Sequence, residues 1–388
     1  MLAPSQFPDL TPDLLTPQPL ERAETIPSAW FTDPRFHELD REAVFGESWQ
    51  HVGHVDQLAQ TGDLIADTVA GNPVMVVRGE DGELRAFYNV CRHRGGPLAL
   101  KDGNCEMLQC KYHGWTYQLD GMLRGVPHMN RTELFDKKDY GLIPIRLAVW
   151  EGLVFVSLAE RPKPLAALVS GITERIGKPG LGGLRAGPRV EYAVRCNWKV
   201  YVDNFLEGYH VPYVHPELLK LYDYSQYRTE VFEWYSLQVG PLSGGDNIYG
   251  ARDGEALYYH IFPNFMLNIL PGRLQTNLVI PTAYDRCTVL FRYYYAETES
   301  AAARKLIADD LAYSEGVQRE DIEICERVQA GLSSRAYDRG RFSVPFESGV
   351  HHFQSLLRKA YGDWMAVYRF VGGACTGFNS SASSGGIR

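Results

Sequence analysis

The sequence CRHRGGPLALKDGNCEMLQCKYHGW, residues 91–115, contains two short Cys/His pairs. Cys91 and His93 form the first pair, and Cys110 and His113 form the second. Two donors from each of two tight loops are suitable for a compact metal site, and a zinc site is one interpretation. Zinc fingers, however, pair Cys with Cys and His with His, whereas here each loop supplies one thiolate and one imidazole. The mixed loops favour a two-iron cluster in which one iron takes both thiolates and the other takes both imidazoles.

The residues that flank the two loops support a cluster. Gly95-Gly96-Pro97 and Gly114-Trp115 allow backbone N–H groups and an aromatic ring to approach and shield the sulfides. With these flanks, CRHRGGPL and CKYHGW resemble the CxHR and CxxHGW motifs of the Rieske [2Fe–2S] domain. Such a centre carries one electron, so this domain alone predicts an electron carrier and an enzyme needs a second site.

A second group of candidate metal ligands follows in NWKVYVDNFLEGYHVPYVHP, residues 197–216. The i, i+3 spacing of Glu207 and His210 predicts that they share one face of a helix, and His215 follows once Pro212 bends the backbone. Two imidazoles and one carboxylate from elsewhere would form a facial triad with open positions for O2, which selects non-haem iron(II) chemistry.

The carboxylate is expected from the long helix that we predict from about residue 300 to 332. Asp321 is our candidate, although the residues alone leave other acidic side chains open as the third ligand. These alternatives are Glu315, Glu320, Glu323 and Glu326.

Taken together, the two motif groups resemble the catalytic α subunits of Rieske non-haem iron oxygenases over residues 25–370. The likeness is greatest to the quaternary-ammonium oxygenases of the choline monooxygenase type, through DNFLEGYHVPYVHP, VQREDIEICERVQAGLSSRAY and GRFSVPFESGVHHF. This resemblance implies that His210, His215 and Asp321 hold the mononuclear iron. It also implies that Glu207, where many members have Asp, hydrogen-bonds an iron ligand and a Rieske histidine of the neighbouring subunit in a homotrimer. Asn204 is a further candidate close to the iron.

We therefore expect an α+β fold: an all-β Rieske domain and a catalytic domain with an antiparallel sheet flanked by helices. Proline-rich sequence at the start predicts an extended arm without helix. Strands are predicted near 229–239, 257–270, 274–281 and 287–296. The expected division is an N-terminal arm, 1–24; a Rieske domain with a preceding helical segment, 25–160; a catalytic domain, 161–370; and a flexible tail, 371–388.

The composition excludes several classes of partner. A net charge of −8 and seven cysteines fit neither a nucleic-acid or membrane partner nor a disulfide framework. Without a signal-peptide pattern the expected location is cytoplasmic. Because no G-x-G-x-x-G follows a strand, electrons are expected from a separate NAD(P)H-dependent reductase, with or without a ferredoxin.

The expected activity is O2-dependent hydroxylation or oxidative N-demethylation of a small quaternary ammonium compound. Hydroxylation or dihydroxylation of an aromatic compound is the alternative, because aromatic side chains could line a pocket for either substrate. The aromatic residues that we single out in the catalytic domain are Tyr209, Tyr213, Trp234, Tyr235, Tyr249, Tyr258, Tyr259, Phe262, Phe265, Tyr293, Tyr294 and Tyr295.

Overall fold

The computed structural model of the protein describes residues 2–177, 180–243 and 254–375. The strands are β1 (Gln50–His54), β2 (Asp63–Val69), β3 (Asn72–Arg78), β4 (Leu84–Tyr88), β5 (Gly103–Asn104), β6 (Leu108–Gln109), β7 (Thr116–Tyr117), β8 (Leu123–Gly125), β9 (Arg146–Trp150), β10 (Leu153–Ser157), β11 (Arg185–Val194), β12 (Arg228–Val231), β13 (Tyr235–Pro241), β14 (Glu255–Ile261), β15 (Phe265–Leu270), β16 (Arg273–Ala283) and β17 (Arg286–Tyr295).

The helices are α1 (Pro12–Leu15), α2 (Ala29–Thr32), α3 (Pro34–Leu39), α4 (Leu165–Leu168), α5 (Ile172–Ile176), α6 (Trp198–Phe205), α7 (Val211–Val214), α8 (Pro216–Leu219), α9 (Ala301–Leu332) and α10 (Ser348–Cys375). A π-helix, Asp40–Phe45, and four short 3₁₀ helices complete the described elements. Among the described residues, no helix combines the length and apolar character that a membrane span requires.

Three small antiparallel sheets build the first part of the chain. Their strand orders are β1-β10-β9, β4-β3-β2-β5 and β6-β7-β8. The first Cys/His loop follows β4, and the second lies between β6 and β7. The second loop joins two paired strands, whereas the first leads from β4 to β5, which lie at opposite edges of their sheet.

One seven-stranded antiparallel sheet, β11-β17-β16-β15-β14-β13-β12, organises the rest of the chain. Alternate side chains of its strands point to opposite faces. Val289 and Phe291 of β17 belong to the core that contains Trp198 of α6 and Phe353 of α10. Leu290, between them, belongs to a second core on the opposite face. The predicted α+β fold is confirmed, and α9 matches the long helix expected from about residue 300 to 332.

The structure divides two of the expected strands. The segment 229–239 forms β12 and β13 with a turn at 232–234, and 257–270 forms β14 and β15 with a break at 262–264. Pro263 accounts for the second break, because proline removes a donor from the hydrogen-bond ladder of a sheet.

Both ends of the chain differ from expectation. The prediction of a helix-free arm was wrong for Pro12–Leu15, where Thr11 Oγ1 caps α1 by accepting from the backbone N–H of Leu14. Proline is compatible with a first helical turn, because the N–H it lacks would have no partner there. At the other end α10 continues to Cys375, so the part of the predicted tail at 371–375 is helical, and 376–388 lies outside the described residues.

A buried charged cluster joins the segment before β1 to α6 and α10. Asp40 and Lys199 are fully buried and form an ion pair. Asp40 also accepts hydrogen bonds from Trp198 Nε1, at 2.8 Å, and from the hydroxyl of Tyr361. Burial lowers the pKa of Lys199, and the charge of Asp40 opposes that shift.

We expect Asp40→Ala to lower the free energy of unfolding by about 3–5 kcal/mol, because it leaves a buried ammonium group without its counter-charge. Urea titration measures this loss. The matched control is Asp81→Ala in the exposed pair of Asp81 and Arg85, for which we expect a much smaller loss, because solvent screens both charges. Equal effects of the two substitutions would contradict the assigned importance of the buried pair.

Candidate metal centres and active site

The two Cys/His loops converge with their sulfur atoms inside and their imidazoles outside. Cys91 and Cys110 are 2% and 3% exposed, whereas His113 is exposed and His93 is half-buried. The two imidazole ring centroids lie 4.8 Å apart, and the ring of His93 stacks on Trp115. Two buried thiols beside two accessible imidazoles match the ligand set of a Rieske cluster.

The backbone of the loops is shaped for close approach to this group. A turn closes each loop, since the N–H of Cys91 donates to Gly96 and the N–H of Cys110 donates to Trp115, both at 2.8 Å. A Cβ atom at Gly96 would lie 2.9 Å from Cys110 Sγ, which is closer than a Cβ atom tolerates. These residues therefore fit a [2Fe–2S] cluster held by Cys91, His93, Cys110 and His113.

The second group of candidate ligands lies where α6 ends and two short helices begin. The prediction that Glu207 and His210 share a helical face was wrong: α6 ends at Phe205, and both residues lie in the bend before α7. Pro212 explains the break, because its ring would clash with the carbonyl group four residues earlier in a continuous helix. His215 follows α7 and directly precedes α8.

Despite this difference, three predicted ligands meet. His215 Nε2 lies 3.0 Å from Asp321 Oδ1, and His210 Nε2 lies 3.8 Å from the same oxygen. One ligand atom from each residue lies within 4.8 Å of the other two. His215 is 1% exposed. The donor set is that of a 2-His-1-carboxylate facial triad, so the three residues fit a mononuclear iron site.

Each of these three side chains is held by another polar side chain. His210 Nδ1 lies 2.6 Å from Glu207 Oε1, and the backbone N–H of His210 donates to the other carboxylate oxygen. Asn204 Nδ2 donates to Asp321 Oδ1 at 2.7 Å. Such partners fix the orientation of a metal ligand. The structure thus brings both sequence-predicted helper residues, Glu207 and Asn204, into contact with the site.

Sequence reasoning missed the residue that contacts the other ring nitrogen of His215. Glu320 Oε2 lies 2.6 Å from His215 Nδ1, on the ring edge opposite Asp321. Burial lowers the pKa of His215, but hydrogen bonds and charges from Asp321 and Glu320 outweigh burial and raise it above its usual value. The sequence predicts Glu320 only as one of the alternative acidic ligands on the long helix, and no spacing signal connects it to His215.

A cavity of about 120 Å³ opens onto the three candidate ligands. Tyr222, Tyr227, Tyr258 and Tyr313 contribute to its wall, together with amide side chains of the sheet and of α9. The hydroxyl groups of Tyr222 and Tyr258 are hydrogen-bonded to each other.

Few of the aromatic residues singled out from the sequence reach this cavity. Of that set only Tyr258 lines it, while Tyr209 and Tyr213 are exposed at the surface and Tyr249 lies outside the described residues. Aromatic composition could not distinguish a wall residue from a core residue, because that distinction depends on strand register and loop packing.

We expect Asn204→Ala to weaken mononuclear metal binding about 10–100-fold, because Asp321 loses the donor that orients it. Titration with Fe(II) under anaerobic conditions measures this affinity, while cluster absorption stays unchanged. Glu323→Gln, on an exposed position of the same helix as Asp321, is the matched control. An unchanged affinity in Asn204→Ala would contradict a supporting role.

The fold and the two sites define an oxygenase with a Rieske cluster and a mononuclear non-haem iron. Comparison with known proteins agrees: residues 48–141 match the Rieske [2Fe-2S] domain, and residues 181–363 match the catalytic domain of the ring hydroxylating alpha subunit. The chain belongs to this family of Rieske ring-hydroxylating oxygenase α subunits. The predicted enzyme class and the two predicted iron cofactors are confirmed at the level of the family.

Three relatives place the chain within the family. It is 37% identical to the chloroplastic choline monooxygenase of Arabidopsis thaliana over 355 residues, 87% of this chain and 83% of that one. It is 29% identical to the carnitine monooxygenase oxygenase subunit of Escherichia coli K12 over 375 residues, 92% of this chain and 100% of that one. The crystal structure of the quaternary ammonium Rieske monooxygenase CntA with an inhibitor matches with a TM-score of 0.81 and 29% identity, covering 88% of this chain and 96% of that one.

Proposed function

We propose that this protein is the terminal oxygenase of a multicomponent system that hydroxylates or oxidatively N-demethylates a small quaternary ammonium compound. One oxygen atom of O2 enters a C–H bond of the substrate and the other leaves as water, while two electrons come from NAD(P)H through a separate reductase, with or without a ferredoxin. The observation that carries this proposal is the tyrosine-lined cavity that opens onto His210, His215 and Asp321.

In this proposal, Cys91, His93, Cys110 and His113 hold the cluster, and His210, His215 and Asp321 hold the iron. When bound, the cluster supplies single electrons and the iron supplies open coordination positions for O2. The chain keeps the inner ring nitrogens of both histidines directed at one point, through the carboxylates of Glu207 and Glu320 on the outer nitrogens. Asn204 holds the carboxylate of Asp321 in the same way.

The size and lining of the cavity support a small cationic substrate. An engineered cavity of about 150 Å³ admits benzene, so a cavity of this size suits a compact molecule better than a fused-ring aromatic one. Tyrosine faces attract a trimethylammonium group by about 0.5–2 kcal/mol per contact. Relatives named choline monooxygenase and carnitine monooxygenase, and a CntA structure described as a complex with L-carnitine, support the same substrate class.

The surface around both sites supports a homotrimer in which the cluster of one subunit serves the iron of the next. The imidazole edge of the cluster site is accessible, and Tyr209 and Tyr213, beside His210, are 45% and 82% exposed. Glu207 already contacts His210, so a Rieske histidine docked against its carboxylate would complete an electron path. One CntA structure is described in terms of inter-subunit electron transfer. The expected domain boundaries and cytoplasmic location stay predictions.

Product analysis tests the proposed substrate class. The iron-loaded protein is supplied with a surrogate reductase, NADH and O2, and offered choline, glycine betaine, carnitine and a set of aromatic acids. Mass spectrometry is expected to find a hydroxylated or demethylated quaternary amine. Products from aromatic acids alone would overturn the substrate class and leave the metal assignments intact.

A further inference from the structure

Helix α9 carries a row of polar side chains on one face, and three of them, Asp321, Gln318 and Ser314, line the cavity. Gln318, Ser314 and Asp310 precede Asp321 by spacings that keep all four on one side of the helix. At 1.5 Å per residue they lie about 4.5, 10.5 and 16.5 Å from Asp321 along the axis. Gln318 is therefore the polar side chain of this face that lies nearest to the reacting centre.

The opposing wall is a row of side chains across four strands. Gln238 pairs with Tyr258, Tyr258 with Asn268, and Asn268 with Gln275, so these residues lie side by side on one face of the sheet. All four line the cavity. Asn268 thus lies in the floor of the cavity, between a tyrosine and an amide.

Two buried amide atoms, on residues that line this cavity, have unused hydrogen-bonding capacity. Gln318 is 2% exposed, and its Oε1 accepts from the Tyr201 hydroxyl at 2.7 Å, which leaves Nε2 as a donor. Within the described part of the chain, neither Gln318 Nε2 nor Asn268 Oδ1, which is also buried, has a hydrogen-bond partner. Leaving such groups unpaired is costly, so a ligand that satisfies both is favoured. The residues that line the cavity therefore include one unused donor and one unused acceptor.

The chemistry of these two atoms discriminates between ligand groups. An alcohol both donates and accepts, so its chemistry matches both the acceptor Asn268 Oδ1 and the donor Gln318 Nε2. A carboxylate only accepts hydrogen bonds, and its negative charge would be repelled by the amide oxygen of Asn268. A trimethylammonium group does neither, and the aromatic rings of Tyr222 and Tyr258 in the cavity wall suit it instead.

The charges around the cavity also disfavour a carboxylate. Arg273 lines the cavity at its far end, but it is buried in an ion pair with Asp310, whose Oδ2 accepts from Arg273 Nε at 2.8 Å. Near the metal residues, the carboxylates of Asp321 and Glu207 match the charge of a divalent ion. Both positive charges close to the cavity, on Arg273 and on the metal ion, are therefore already neutralised by carboxylates of the protein, so neither would favour a substrate carboxylate.

We propose that Gln318 and Asn268 are specificity-determining residues that bind a substrate hydroxyl group close to the metal residues. This proposal rests on the proposed function and narrows it to an alcohol-bearing quaternary ammonium cation, in preference to a betaine. The alcohol carbon then faces the reacting centre, and the ammonium group lies toward the tyrosines.

Equilibrium binding tests the proposal without turnover. Isothermal titration calorimetry of the anaerobic holoenzyme compares choline, propyltrimethylammonium, which replaces the hydroxyl by a methyl group, and glycine betaine. We expect choline to bind at least tenfold more tightly than either. Because the propyl compound is the more apolar, its weaker binding would not come from desolvation of the ligand. Equal or tighter binding of the propyl compound or of glycine betaine would overturn the inference.

Two variants and one control assign the effect to residues. Gln318→Leu and Asn268→Leu are each expected to weaken choline binding at least tenfold while changing propyltrimethylammonium binding less than threefold. Arg327→Gln, at an exposed position of α9, is the control and should change neither. If a variant does not fold, the comparison of ligands on the unmodified protein still decides. If betaines are turned over in preference to choline, the inference about the hydroxyl group fails and the proposed function stands. If only aromatic acids react, the inference and the proposed function both fail.

Discussion

Asp321→Ala is expected to abolish turnover and mononuclear iron binding while leaving the Rieske cluster intact. The carboxylate of Asp321 approaches both candidate histidine ligands, and it is the only acidic side chain of the group of three. Its removal leaves two imidazoles and no carboxylate. This donor set lacks the negative charge and the third ligand that hold iron(II) in a facial triad. The two loops that hold the cluster extend from the small sheets of the first part of the chain, whereas Asp321 lies on α9. The absorption and the EPR signal of the cluster should therefore persist.

Iron and labile sulfide analysis, together with EPR spectroscopy, measures this result. We expect the variant to hold the cluster iron and sulfide of the unmodified protein and to lose the mononuclear iron. Glu323→Ala, two residues away on the same helix, should behave like the unmodified protein. Full activity in Asp321→Ala would exclude the assigned triad.

Glu207→Gln is expected to retain both metal centres and to slow reoxidation of the reduced cluster about 10–100-fold in the presence of substrate and O2. Glutamine can still accept from His210, so the histidine keeps much of its orientation. The lost negative charge weakens the bond that His210 Nδ1 makes at 2.6 Å and the proposed bond to the neighbouring subunit's cluster. Electron transfer should therefore suffer more than metal binding.

Stopped-flow absorption during a single turnover measures the rate of cluster reoxidation. Glu217→Gln is the matched control, because Glu217 is a surface carboxylate at the start of α8. If Glu207→Gln reoxidised at the rate of the unmodified protein, the bridging role would be withdrawn while the triad assignment would stand.

The spacing of residues in the sequence was sufficient to predict the two Cys/His loops and the long helix α9. The two Cys/His loops are tight turns, so sequence distance sets the positions of Cys91, His93, Cys110 and His113. Helix α9 is long and polar on one face, and its bounds also followed from pattern. The choice of Asp321 among five acidic residues needed the family resemblance, because helical periodicity alone left several candidates.

The remaining features depend on packing between distant segments. The contact of Glu320 with His215 joins residues more than a hundred positions apart, and nothing in the spacing predicts it. The cavity tyrosines Tyr222, Tyr227 and Tyr313 come from a loop and a helix that meet only in the fold. Pro212 predicts a bend in the backbone, but the sequence did not reveal that Glu207 and His210 already lie outside a helix. A helix and a tight bend can both bring side chains three residues apart together, so the spacing does not distinguish them.

Single-turnover product analysis tests the central claim most directly, because it needs no reductase. The protein is reduced, freed of excess reductant, and then mixed with O2 and, in separate reactions, with choline, glycine betaine or carnitine. One electron from the cluster and one from the iron would suffice for one oxygenation, so we predict about one product molecule per catalytic site from at least one of these compounds, formed as the cluster reoxidises. Reoxidation of the cluster without a product from choline or any other quaternary ammonium compound would contradict the account.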